Sequence, residues 1–118
     1  MTIEQDLIWD RDALVARMRG KTDRVAKLIN LYLDDMPNQI NMLNEQAQSS
    51  NLTELGNTAH RIKGVSANLS ILRLQHKAAE LEQAISSTDS AKTEALLVEI
   101  SNEYDKSEAE LKAFLASL

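Results

Sequence analysis

In the last quarter of the chain Thr93, Leu97, Ile100, Tyr104, Ser107, Leu111, Phe114 and Leu118 follow one another at alternating steps of four and three. That spacing is one stripe of a long helix with a single buried side. The same period runs through Ile71, Leu74, Ala78, Leu81 and Ile85, through Leu52, Leu55, Ala59, Ile62, Ser66 and Leu69, and through Val25, Leu28, Tyr32, Met36, Ile40, Leu43 and Ala47. Composition agrees: 118 residues hold 3 Gly, 1 Pro and 3% aromatics, which leaves strands few of their preferred residues. Pro37 lacks an N–H and crowds the carbonyl four residues earlier, so the helix predicted from about Thr22 to Gln48 is expected to bend near Leu33 to Pro37 without breaking. Ser49 and Ser50 end it, and Asn51 with Glu54 opens the next in a capping-box relation. Ser86 to Ser90, polar throughout, reads as a loop. A short helix from about Asp10 to Arg19, ended by Gly20, offers Leu14 and Met18 to the rest. The prediction is an all-α fold: an antiparallel four-helix bundle with a short extra N-terminal helix capping one end, crossing angles near ~20°, one domain over residues 1–118, and residues 1–8 as a flexible lead-in.

Charge and residue usage remove several functions. No cysteine is present, which excludes disulfide scaffolds, thiol catalysis and Cys-ligated zinc. A net charge of -5 argues against nucleic acid as the main partner, and Arg17, Arg19, Lys21, Arg24 and Lys27, interrupted by Asp23, read as a solvated face around a helix junction. The acidic amino terminus lacks the features of a secretory signal and no 18 apolar residues run together, so a cytoplasmic protein without direct membrane contact is expected. The three glycines are isolated and form no phosphate-cradling loop, so neither ATP hydrolysis nor kinase activity of its own is expected. Carboxylates read as solvation and i,i+4 partners, not as a convergent catalytic pair. The two histidines stand sixteen residues apart without a third ligand at metal-site spacing, so no metal or other cofactor is expected.

The informative stripe is not core. Gly56, His60, Lys63, Gly64 and Ala67 share one face of the third helix, offset about 100° from the line of Ala59. Each helix-interior glycine costs roughly 1 kcal/mol relative to alanine, a sacrifice a plain solvent face does not need. Singly, each residue has a plain reading: an idle surface histidine, a solvated lysine, or a glycine where two helices touch. Together they leave an imidazole bare, with an ammonium one turn away. His76, flanked by Gln75 and Lys77 and far from any glycine, reads as solvated or satisfied.

The segment Ala59 to Ser70, AHRIKGVSANLS, resembles the histidine-containing phosphotransfer (HPt) domains of bacterial multistep phosphorelay signalling. Their pattern of a histidine, two residues, Lys-Gly and then small residues is met by His60, Lys63, Gly64 and Ser66. Trp9 and Asp10, the run Tyr32, Leu33, Asp35 and Pro37, and the pair Leu81 and Glu82 extend the likeness over nearly the whole chain. It implies that His60 accepts a phosphoryl group from a phospho-aspartate on a response-regulator receiver domain and passes it to a second receiver aspartate, with a sensor histidine kinase upstream and Mg²⁺ brought by the receiver. Lys63 would neutralise charge on the phosphoryl oxygens, and Gly56, Gly64 and Ala67 would leave room for docking. Glu82, by its offset from Ala78 and Ile85, is a candidate to orient the imidazole through the nitrogen that does not attack. Family members commonly have Gly where Ser70 stands, so either Asn68 is expected to take a left-handed conformation or the turn differs by a residue.

Two rivals come from other classes. One is a non-catalytic helical module that binds a receiver or a partner helix through the same face. The other is a dimerisation-type domain of a sensor kinase, which needs a second chain to close its bundle; here one chain supplies four helices and a monomer suffices.

Overall fold

A computed structural model describes residues 7–118. Five helices follow in order: α1 (Arg11–Arg17), α2 (Thr22–Gln48), α3 (Leu52–Leu69), α4 (Leu72–Ser86) and α5 (Ser90–Ala116). Helices α2 to α5 each pack on the next, and α5 closes back on α2, so one chain completes the predicted antiparallel four-helix bundle. The short α1 packs against α2. Of the expected lead-in, residues 1–6 lie outside the described residues, Leu7 is exposed and Ile8 packs against the core. Among the described residues no helix is long and apolar enough to cross a membrane.

The stripes place the core correctly along most of each helix, with instructive shifts at their flanks. Ile29 and Leu96 are fully buried, one position from the expected Leu28 and Leu97, which are only partly covered. A bundle helix buries a face wider than a single line, so flanking positions enter the core. Leu52, in the first turn of α3, and Leu118, beyond the end of α5, lie at helix ends and are exposed. Helix α2 runs unbroken through Pro37. Within the core the Tyr32 hydroxyl pairs with Ser107 Oγ at 3.1 Å, and burial pushes its phenol pKa up, keeping it neutral. One carboxylate departs from the expected solvation: Glu103 is buried and takes a 2.6 Å bond from Arg73 Nη2, a pairing a buried charge requires.

The turns are tighter than the sequence suggests. Ser86 belongs to α4 and Ser90 to α5, leaving only Ser87, Thr88 and Asp89 between them. Asn51 Oδ1 accepts from Glu54 N at 3.3 Å, but Asn51 N donates to Gln46 O, so only half of the expected capping box forms. At the α3–α4 turn Ser70 itself takes the left-handed conformation, φ 59°, instead of Asn68. Ser70 N donates to Ala67 O at 3.1 Å and Ile71 N to Ser66 O at 2.9 Å, closing the helix end in the manner normally built on glycine.

Candidate functional site

Two fully buried residues, Ala59 and Ile62, fix the rotation of α3 against the core. His60 lies about 100° from Ala59 around the axis and points outward, its side chain 70% exposed. On α4, fully buried Leu81 fixes the rotation in the same way, and its neighbour Glu82 falls at the seam facing α3. The two elements bring Glu82 Oε2 to 3.1 Å from His60 Nδ1 and Glu82 Oε1 to 2.7 Å from Lys63 Nζ. One carboxylate thus holds the imidazole with one oxygen and the ammonium with the other.

The electrostatics follow from that arrangement. Burial alone raises the pKa of the Glu82 carboxyl, but Lys63 and His60 together outweigh burial and hold it below the ordinary carboxylate value. An ionised carboxylate can only accept hydrogen bonds. In the neutral imidazole Nδ1 therefore carries the proton toward Glu82, and Nε2, which makes no hydrogen bond among the described residues, keeps its lone pair.

The face around His60 is open. A Cβ added at Gly56 or Gly64 meets nothing within 4 Å, so neither glycine serves as a packing contact between helices. Ala67 is partly buried, and its carbonyl accepts from the Arg17 guanidinium at 3.4 and 3.5 Å. Ser66 is fully buried and faces the core instead of the site. His76 lies apart, pairing through Nε2 with Glu80 Oε1 at 2.9 Å on its own helix.

Three residues of α1 and the segment before it act on the carboxyl end of α3 in ways that helical spacing does not disclose. Arg17 also donates to Ser70 Oγ, and Trp9 Nε1 donates to Leu69 O at 2.9 Å. Asp10 N gives a 2.9 Å bond to the Ser70 carbonyl. The segment before α2 thus satisfies carbonyls that end the His60 helix. The only signals in the sequence were the paired Trp9 and Asp10 of the family likeness and the cationic run that begins at Arg17.

An exposed imidazole held at Nδ1 by a carboxylate thus stands on the outer face of a four-helix bundle. The family model of the Hpt domain matches residues 27–113, and the chain belongs to that family. Its role is phosphotransfer in a phosphorelay, among receiver and kinase domains. The fold is similar to the HPt domain of an Hpt sensor hybrid histidine kinase from Shewanella, with a TM-score of 0.80 and 18% identity over 98% of each chain. Comparison with curated proteins gives no match.

Proposed function

We propose that His60 accepts a phosphoryl group from the phospho-aspartate of one receiver domain and hands it to the aspartate of another. The observation that carries this reading is the division of labour on the imidazole: Nδ1 rests on Glu82 at 3.1 Å while Nε2, on a side chain that is 70% exposed, makes no hydrogen bond among the described residues. In the step, the Nε2 lone pair attacks phosphorus, the N–P bond forms as the P–O bond to the aspartyl carboxyl breaks, and the carboxylate leaves with the electron pair. Nδ1 keeps its proton, so the ring becomes cationic and Glu82 stabilises it. Lys63, held beside the ring by Glu82, supplies positive charge toward the phosphoryl oxygens. Gly56 and Gly64, where an added Cβ meets nothing, keep the approach clear for the receiver's surface, and the small Ala67 side chain continues that face. A single chain closes the bundle, which supports a monomer.

The test is incubation with a panel of phosphorylated receivers, read by intact mass before and after acid. The wild-type chain is expected to gain one phosphoryl group that acid removes, and His60→Gln to gain none at unchanged helicity. If receivers bind the chain but leave His60 unmodified, it is an interaction module and the proposal fails.

A further inference from the structure

The cations of this chain divide into two populations. Arg11, Lys63, Arg73, Lys77, Lys106 and Lys112, six of the eight outside residues 17–27, lie within 3.9 Å of a carboxylate oxygen. Within that segment Arg17, Arg19, Lys21, Arg24 and Lys27 are all exposed, and among the described residues none pairs with a carboxylate. Asp23 is the one acidic residue there, in a chain whose net charge is -5. Like charges gathered without carboxylate partners among the described residues cost stability through mutual repulsion, so a bundle that pairs most of its other cations has a reason to hold this group together.

Its position supplies the reason. Arg17 reaches the Ala67 carbonyl and Ser70 Oγ, which fixes the end of α1 over the carboxyl end of α3. Ala67 lies seven residues from His60 along nearly the same line of the helix, about 10 Å along the axis. Residues 18–21 then lead directly from α1 into α2. The exposed cations therefore begin at the edge of the face that presents His60.

We propose that this α1–α2 junction is an electrostatic docking patch that favours receivers whose surface beside the phospho-aspartate is acidic. The inference rests on His60 being the phosphoryl acceptor. A partner that offers an aspartyl phosphate already presents concentrated negative charge where it meets His60, and an acidic rim extends that charge onto the cations. Charges at the rim of an interface act mainly on the rate of encounter and on its salt dependence. Nucleic acid fits less well, because the remainder of the chain is acidic and repels a phosphate backbone.

The test uses the full chain carrying Arg19→Glu, Lys21→Glu and Arg24→Glu together, none of whose side chains makes a hydrogen bond or ion pair among the described residues. A control with Lys92→Glu, Lys106→Glu and Lys112→Glu has the same net charge. Phosphoramidate, a small donor that needs no docking, is expected to label His60 in all three proteins at one rate. Transfer from a receiver with an acidic rim is expected to fall roughly tenfold or more at low salt in the junction variant, to fall less in the control, and to recover as salt screens the charges. A receiver with a basic rim is not slowed. Equal low-salt rates for wild type and junction variant with the acidic receiver overturn the proposal, as does an equal loss in the control. Binding of a labelled oligonucleotide that the junction variant alone loses overturns it in favour of nucleic acid. If neither phosphoramidate nor any receiver labels His60 in the wild type, the acceptor reading fails and takes the patch with it; labelling without the salt-dependent loss refutes the patch alone.

Discussion

Glu82 decides which nitrogen of His60 is available, so its two functions separate by substitution. Glu82→Ala removes both the partner of Nδ1 and the anchor of Lys63, and transfer to His60 is expected to slow by about tenfold, equivalent to roughly 1.4 kcal/mol of barrier. Glu82→Gln keeps an acceptor for Nδ1–H while losing the charge, and is expected to retain most of the rate but with a changed pH–rate profile. A purely structural glutamate would leave that profile unmoved. The linkage to stability has a definite sign: a carboxyl held below its unfolded value contributes fully above the ordinary carboxylate range and loses that contribution as pH falls through its lowered pKa. The stability gap between wild type and Glu82→Gln is thus expected near neutrality and should close in acid, as urea titrations at each pH would show. Much of this site is legible in one dimension, because His60 and Lys63 share a helix and Glu82 follows from its offset against the Ala78 and Ile85 line. Arg17 is not, since its contact with Ala67 spans 50 residues and no period within α1 specifies it.

Helix ends are where sequence and structure part. Arg19, Ser50, Ser70 and Thr88 all take positive φ, and at each junction the same pair of backbone bonds closes the preceding helix. Glycine usually marks such ends, yet only Gly20 stands near one of them, so the breaks show as polar runs while the conformation stays hidden. Thr88, β-branched at φ 53° and exposed, is the most strained of the four. Thr88→Gly is expected to stabilise the fold by about 1 kcal/mol, after loss of the local Thr88 hydroxyl bond to Ser87 O, as a higher urea midpoint at constant slope. Gly64 gives the complementary case: because a Cβ there meets nothing, Gly64→Ala is expected to add up to about 1 kcal/mol. Gly64→Gln should fold as well as wild type but accept phosphate from receivers more slowly, since its side chain projects over the approach to His60. Normal transfer to a folded Gly64→Gln would show that this face does not dock the receiver.

Over the whole molecule the periodic stripes made the four-helix closure readable, because burial of one face per helix leaves few arrangements for four helices joined by short turns. The cap at one end was harder to read, for Trp9 belongs to no helix and its partners lie in distant sequence. Trp9 packs edge-on against Phe114, with ring centroids 5.5 Å apart, and donates to Leu69 O. Trp9→Phe keeps an aromatic edge but strands that carbonyl, so a loss of about 1 kcal/mol in urea unfolding is expected with transfer to His60 unchanged. The central claim is more specific than family membership: phosphorus arrives on Nε2 of His60 while Nδ1 stays protonated on Glu82. The direct measurement is nitrogen and phosphorus NMR of the chain after transfer from a phosphorylated receiver. The account predicts one phosphorus coupled to Nε2 of His60, with the Nδ1 proton retained; phosphorus on Nδ1, on His76, or in an acid-stable ester would contradict it.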